Sequence, residues 1–401
     1  MPRSTVKHSE KADWLYLIPL ALISVAGLLC VYSASSGSSL FTHQVLYIIT
    51  GWIFFAGASF FPLRILEESV PVVYLVTLAL LVLTIFFGGG PAGRWLQLGP
   101  VNIQASEIAK LSVIMLTARW LPAIKRGTAK GGVVLYLSAA GMLTLLTFLQ
   151  PDLGTAVALF MMIFGMIYWA GFGFSWIFLF LSPLFAALSS VNFLSWLAFT
   201  AVLCFVLYRS GARPRRWVLF LVLTSFIASL TPVAWNLLRP YQQSRLTTFL
   251  NPEQDPFGAG WNVLQSRVAV GAGGITGQGF LNGSQNELAF LPARHTDFVF
   301  SVWAEEWGFI GSLILLILYA LVIWRVLEGA RRSMNPFNSI IGSGFAIYLL
   351  IHIVVNVGMT LGIMPVTGLP LPFITYGGSH VLIELILAGL ALNVIRNWRS
   401  Y

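Results

Sequence analysis

Charged residues are scarce in this sequence of 401 residues. Only 9% of them are charged and 57% are hydrophobic, whereas a soluble globular chain carries roughly a quarter charged residues. This scarcity excludes a water-soluble fold. Cysteine is also rare, because Cys30 and Cys204 are the only two. Both lie inside long hydrophobic runs. If these runs span a membrane, the two thiols lie near opposite faces of it, so we expect neither a disulfide nor a cysteine metal site.

The hydrophobic residues form runs long enough to cross a membrane as helices. Runs of about 17 to 25 residues match a hydrocarbon core of roughly 30 Å, and the alternating segments of outer-membrane barrels are not seen. The pattern predicts an all-α polytopic integral membrane protein with about twelve transmembrane helices. The predicted spans lie near residues 14–33, 43–62, 72–87, 105–122, 132–149, 153–171, 174–190, 192–208, 217–235, 298–325, 337–364 and 378–396.

The positions of Lys and Arg predict the orientation, because short loops rich in these residues stay in the cytoplasm. With the N-terminus inside, 17 of the 23 Lys and Arg residues fall in cytoplasmic segments. Both termini are therefore predicted to be cytoplasmic, and the basic charge reflects topology rather than nucleic-acid binding. The other six are Arg94, Lys110, Arg239, Arg245, Arg267 and Arg294.

Residues 236–297 form the longest segment without a hydrophobic span, and the predicted topology places it outside the cell. Its interspersed apolar residues, such as Trp261 and Phe280, indicate that much of this loop packs on the membrane domain. Its eight glycines match neither a Walker loop nor a dinucleotide fingerprint. We interpret them as loop architecture.

Ionisable residues at the membrane boundary are costly unless they pair or face a polar cavity. Glu107 and Lys110 are three residues apart and therefore share one helix face. They could form a structural ion pair or contact a substrate. Asp152 follows Gln150 and Pro151 in a short turn, where it could cap the sixth span or serve the site.

Further polar residues flank the end of the long loop and the last connection between spans. Asp297 closes the loop, where it could be the N-cap of the next span or a functional carboxylate, and Glu305 or Glu306 must face the interior. A Pro/Gly-rich connection follows at residues 364–379, flanked by Asn356, His380 and Glu384. The predicted polar cleft would suit a transporter, a lipid-processing enzyme or a receptor.

At these motifs the chain resembles the SEDS (shape, elongation, division and sporulation) family of membrane-embedded peptidoglycan glycosyltransferases. Residues 279–285 and Arg294 are more similar to its elongation branch, RodA, than to its division branch, FtsW. The family usually has ten spans, so the hydrophobic hairpin at residues 191–235 is an addition of unknown role. The matching motifs are Arg94-Trp95 with Leu98-Gly99, Ser106-Glu107 with Lys110, residues 150–155, Asn251-Pro252, residues 295–298, residues 370–373 and residues 376–379.

The resemblance implies an enzyme of the bacterial inner membrane that polymerises lipid II into β-1,4 glycan strands during cell-wall elongation and cell-shape maintenance. Asp297 would be the catalytic general base. Cationic side chains would stabilise the departing diphosphate, with Glu107 orienting Lys110. The implied substrate-binding residues are Arg94, Glu107, Lys110, Asp152, Arg245, His295, Thr296 and Ser379.

The resemblance also implies a partner, a class B penicillin-binding protein that cross-links the new strands. It indicates no metal ligands, and a requirement for a divalent cation stays open. Two alternatives remain: a lipid II flippase that uses the same cleft for alternating access, and a non-catalytic scaffold of the wall-synthesis machinery.

Overall fold

The computed structural model describes residues 13–35, 38–90, 93–98, 101–128, 132–190, 192–211, 213–237, 243, 259–283 and 296–399. Within these residues the fold is built from helices and one short β-hairpin. The helices are α1 (Trp14–Ser35), α2 (Ser39–Phe60), α3 (Leu63–Phe87), α4 (Ala105–Lys125), α5 (Gly132–Leu149), α6 (Leu153–Trp169), α7 (Phe174–Ser189), α8 (Phe193–Arg209), α9 (Pro214–Leu237), α10 (Ala259–Ala272), α11 (Val299–Arg332), α12 (Pro336–Thr360) and α13 (Gly378–Arg396).

The predicted all-α membrane architecture is confirmed, and each predicted span overlaps one of these helices. Among the helices in the described part of the chain, eight are long and apolar enough to cross a membrane: α1, α2, α3, α5, α9, α11, α12 and α13. Helices α6 and α8 are apolar but shorter. Helix α4 carries four charged residues, and α10 lies inside the segment predicted as a loop.

The chain divides into two compact units, residues 167–251 and the remainder. In the smaller unit, α7 packs on α8 and α9 around Leu179, Leu203 and Leu207. Helices α8 and α9 coincide with the hydrophobic hairpin predicted as an addition to the family pattern.

In the larger unit, α1 runs antiparallel to α11. At one end, Arg325 Nε donates to Asp13 Oδ2 over 2.8 Å. At the other end, Cys30 Sγ donates to the Val299 carbonyl over 3.4 Å, and Ser33 donates to the Glu306 carboxylate. Helix α13 packs on α2, and α12 packs on both α11 and α4.

Helix α11 is interrupted at Gly308, whose φ is 65° and ψ is −163°. The glycine-rich turn after α10 supplies the backbone bonds that this interruption removes. Phe309 N donates to Gly274 O over 2.9 Å, and Gly279 N donates to Glu306 O over 3.0 Å. A Cβ at Gly277 would overlap the backbone of Glu306. These glycines therefore allow close backbone approach. The sequence required Glu305 or Glu306 to face the interior, and the structure buries both.

Candidate active site

A β-hairpin that the sequence analysis missed positions the first polar motifs. Strands β1 (Trp95–Leu98) and β2 (Val101–Gln104) are antiparallel, with Trp95 opposite Gln104. The hairpin leads directly into α4. The Gly-Pro pair between the two runs is a turn signal that could have revealed it. Arg94 and Gln104, at its two ends, are thereby held side by side.

Asp152 lies between this hairpin and the first turn of α6. Its Oδ2 accepts from Ser106 Oγ over 2.9 Å and from Gln104 Nε2 over 3.1 Å. Its Oδ1 accepts from Thr155 N over 3.3 Å and lies 3.8 Å from Arg94 Nη1. Asp152 therefore caps α6 and also ties that helix to the hairpin and to α4.

The Lys110–Glu107 pair is enclosed inside the larger unit. Lys110 Nζ lies 2.8 Å from Glu107 Oε1, and the side chains are 0% and 3% exposed. The ammonium also lies 5.4 Å from the ring centroid of Tyr348 on α12. Glu107 Oε2 has no hydrogen-bond partner among the described residues. The pair lies within one helix, and mutual neutralisation allows both charges to be buried.

The connector between α12 and α13, residues 361–377, is held by side chains that bond to its backbone. Its three prolines provide no N–H, and Phe373 adopts a φ of 63°. Buried irregular backbone needs such partners. The bonds are Asn356 Nδ2 to Leu369 O (2.8 Å), His352 Nδ1 with Pro370 O (3.0 Å), Leu371 N to Thr375 Oγ1 (2.8 Å), Tyr319 OH to Pro372 O, and Phe373 N to Glu384 Oε2 (2.7 Å).

Asp297 lies beside this connector. Helix α11 begins at Val299, and its cap residue is Phe298, which makes no side-chain capping bond. Asp297 therefore does not occupy the N-cap position that one interpretation of the sequence gave it. The Asp297 carbonyl accepts from Asn356 Nδ2 over 3.1 Å. A Cβ on Gly368 would lie 3.5 Å from Asp297 Oδ2, so the carboxylate faces a residue without a side chain.

The remaining contacts join these parts into one site. A Cβ at Gly154 would overlap the Thr367 carbonyl, so the start of α6 packs on the connector just before Gly368. Ser379 Oγ donates to Asn102 O of β2 over 2.8 Å, and Thr375 Oγ1 donates to Thr296 O over 3.5 Å. The structure thus brings together seven predicted residues: Arg94, Glu107, Lys110, Asp152, Thr296, Asp297 and Ser379. Arg245 and His295 lie outside the described residues.

Two residues of this network, Tyr348 and His352, were missed by the sequence analysis. Tyr348 OH donates to Glu384 Oε1 over 2.8 Å, and so connects the Lys110–Glu107 pair to the carboxylate that binds Phe373 N. Together with Asn356, these residues recur at every fourth position of α12, within a stretch (344–359) whose other residues are apolar or glycine. That spacing was the available signal, because it places three polar groups on one face.

Electrostatically, the site combines a half-buried carboxylate with cations of different accessibility. Asp297 is half-buried. The Arg94 side chain is 22% exposed, and its guanidinium also donates to the Pro151 carbonyl. Lys110 is enclosed. Within the described ranges, no group of three or more His, Cys, Asp or Glu side chains is arranged to hold a metal ion.

These features define an integral membrane protein with a polar site formed by helix ends, a β-hairpin and a tethered connector. The family model described as cell cycle protein, covering FtsW, RodA and SpoVE, matches residues 13–200 and 188–400. The chain belongs to this family.

Named relatives and solved structures agree with the assignment. Peptidoglycan glycosyltransferase MrdB of Escherichia coli (strain K12) is 34% identical over 388 residues, covering 95% of this chain and 92% of that protein. Peptidoglycan glycosyltransferase RodA of Treponema pallidum (strain Nichols) is 34% identical over 427 residues, covering 95% and 97%.

The crystal structure of the rod shape determining protein RodA of Thermus thermophilus has a TM-score of 0.64 at 26% identity, covering 99% of each chain. A chain from a structure described as the structural coordination of polymerization and crosslinking by a peptidoglycan synthase complex has a TM-score of 0.71 at 30% identity. That match covers 99% of this chain and 100% of the other.

Proposed function

We propose that this protein, a peptidoglycan glycosyltransferase of the membrane, polymerises lipid II into β-1,4 glycan strands for cell-wall elongation, with Asp297 as the general base. The observation that carries the assignment is the position of Asp297 beside Gly368. Gly368 belongs to the connector, whose backbone is fixed by buried side chains. The Asp297 main-chain carbonyl is bonded to Asn356, and the space beside Gly368 gives a hydroxyl access to the carboxylate that would receive its proton.

The proposed step balances as follows. The acceptor sugar hydroxyl forms a bond to the anomeric carbon of the donor, and its proton passes to the Asp297 carboxylate. The bond between that carbon and the undecaprenyl diphosphate breaks, and its electron pair stays on the diphosphate. Because negative charge grows there, cations placed in advance stabilise the transition state. Arg94, partly exposed, contacts the diphosphate, and Lys110 adds positive charge from a deeper position, oriented by Glu107.

The distribution of basic residues between the two ends of α11 supports the proposed orientation. The candidate site lies at the end of α11 that carries Val299, and Arg331 and Arg332 lie in its last turn. Basic residues favour the cytoplasmic side. We therefore place the site at the outer face of the inner membrane, where the sugars of lipid II are polymerised, with both termini in the cytoplasm.

The test uses the purified chain in liposomes with lipid II supplied to the outer leaflet, and glycan detected in a gel. Asp297→Asn keeps the size of the side chain but removes its basicity. Loss of a general base slows chemistry by roughly a hundredfold to ten-thousandfold, so no polymer is expected. The variant should remain monodisperse after purification.

Asp13→Asn is the matched control, because Asp13 is also a half-buried carboxylate beside α11 but lies at the opposite end, paired with Arg325. It should leave polymerisation near normal. Near-normal polymer from folded Asp297→Asn would remove Asp297 as the base. For the unmodified protein, redistribution of lipid II across the bilayer without polymer would favour the flippase. The absence of both polymer and redistribution would favour a scaffold.

A class B penicillin-binding protein is the proposed partner. Support comes from the similar chain in a complex that coordinates polymerization and crosslinking. A single-span partner would dock on the lipid-facing surface and raise the polymerisation rate by favouring the active conformation. Adding it to the same liposomes should increase polymer, and an unchanged rate together with failed co-purification would end the proposal.

A further inference from the structure

Helix α12 presents three polar side chains on one face. Tyr348, His352 and Asn356 follow one another at intervals of four residues, and each is 0% exposed. Polar groups within a spanning helix are costly unless they bond within the protein. Because all three are buried, the contacts that they make within the protein must offset this cost.

Each side chain on this face reaches a different part of the candidate site. Tyr348 lies between Lys110 and Glu384. His352 bonds to the Pro370 carbonyl. Asn356 is the one of the three that bonds directly to Asp297, through the Asp297 main-chain carbonyl, and it also bonds to the Leu369 carbonyl.

Asn356 joins two segments that are far apart in the sequence. Its side-chain amide provides two N–H groups. Nδ2 lies 3.1 Å from Asp297 O and 2.8 Å from Leu369 O, so one nitrogen serves both carbonyls. The Oδ1 atom has no hydrogen-bond partner among the described residues. A buried unsatisfied acceptor is unfavourable, so the two bonds made by Nδ2 are the contacts that offset the burial of this amide.

The neighbouring geometry shows what this link controls. Gly368 precedes Leu369, and a Cβ on Gly368 would lie 3.5 Å from Asp297 Oδ2. Asn356 thus fixes the separation between the backbone of Asp297 and the glycine that leaves space beside its carboxylate. We propose that Asn356 is a positioning residue that sets the approach of the acceptor hydroxyl to Asp297. This inference rests on the proposed role of Asp297.

The experiment measures kcat and KM for lipid II in the liposome assay with Asn356→Leu. Leucine has a similar shape to asparagine, but its side chain has no N–H. A misplacement of about 1 Å can cost on the order of a hundredfold in rate. We expect kcat to fall by roughly tenfold to a hundredfold, with KM changed less than about threefold, because binding groups elsewhere are untouched.

Asn338→Leu is the matched control. Asn338 lies on the same helix, is 2% exposed and also has an unpartnered Oδ1, but it is at the N-terminal end of α12. We expect it to shift the thermal midpoint by about as much as Asn356→Leu does and to leave kcat unchanged. If Asn356→Leu does not fold, Asn356→Ser, which keeps one donor, should show an intermediate loss of kcat.

Asp297→Asn is measured in the same series to separate the two proposals. If Asp297→Asn is inactive while folded Asn356→Leu keeps a normal kcat, or loses only KM, the positioning role is wrong and the base assignment stands. Equal losses of kcat in Asn356→Leu and Asn338→Leu would also overturn the positioning role. If Asp297→Asn is active, both proposals fail.

Discussion

Three buried carboxylates among the described residues, those of Asp152, Glu384 and Glu107, each have specific donors or an ion-pair partner. Asp152 accepts from two side chains and one backbone N–H. Glu384 accepts from Tyr348 and from Phe373 N. Glu107 is paired with Lys110. Since an unpaired charge in a buried site is strongly unfavourable, each of these residues is energetically tied to its partner.

The Glu107–Lys110 pair provides a test at the scale of single residues. Glu107→Gln leaves the Lys110 charge buried without its partner, and breaking such a pair typically costs about 3–5 kcal/mol. We expect a large fall in the thermal midpoint of the purified protein. The double variant Glu107→Leu with Lys110→Met removes both charges and should recover most of this stability.

Glycan synthesis separates the two roles that the sequence left open for this pair. We expect the double variant to be folded but inactive, because the proposed stabilisation of the departing diphosphate by Lys110 is then lost. If the double variant polymerises lipid II at the rate of the unmodified protein, the pair is only structural. Arg64, whose side chain is 90% exposed, offers a neutral comparison as Arg64→Met.

Among elements, the start of α6 and the connector depend on close backbone contact. Gly154, in the first turn of α6, has no room for a side chain because a Cβ would overlap the Thr367 carbonyl. Asp152 immediately precedes this turn, and Gly368 immediately follows Thr367. The packing of the start of α6 on the connector therefore determines how the Asp152 cluster lies relative to Asp297.

Gly154→Ala should separate these two elements. Forcing a methyl group into a packed contact costs about 1–3 kcal/mol. We expect a lower thermal midpoint and reduced polymerisation, measured on the same purified sample.

Gly141→Ala is the control, because Gly141 lies within α5 and a Cβ there would meet nothing within 4 Å. Removing a glycine from a helix interior stabilises by about 0.5–1 kcal/mol. Equal behaviour of the two alanine variants would show that the α6 contact does not constrain the site.

On the scale of the whole molecule, the site and the basic helix ends lie at opposite ends of α11. The α1–α11 pair is closed by Asp13 and Arg325 at one end and by Ser33 and Glu306 at the other. The exposed Thr128 follows the basic end of α4, and the exposed Asn282 lies near the start of α11. The proposed orientation puts Asn282 outside and Thr128 inside.

Single cysteines at these two positions test that orientation, in a background with Cys30→Ser and Cys204→Ser. An impermeant maleimide applied to intact cells should label Asn282→Cys and leave Thr128→Cys unlabelled until the cells are opened. The reverse pattern would invert the proposed topology and place the candidate site in the cytoplasm.

The sequence by itself determined the class of fold. Long apolar runs have few alternatives in a bilayer, because a spanning segment must satisfy its own backbone hydrogen bonds. The predicted spans therefore coincide with helices. The same reasoning located the polar residues that a membrane protein cannot leave unpaired, among them Lys110, Asp152 and Glu384. Helix α10 and the β-hairpin escaped this reasoning because they are too short to span a membrane.

Only the tertiary structure decided which partners these polar residues have. Asp297 was compatible with capping the next helix, a local role, but it lies beside Gly368, 71 residues later in the numbering. The partners of Tyr348 and His352 became apparent only from the packing of the connector and α13 against α12. Hydrophobic periodicity acts over a few residues, whereas hydrogen bonds to an irregular connector depend on how distant helices pack. The sequence could therefore predict the candidate residues, and packing alone determined their geometry.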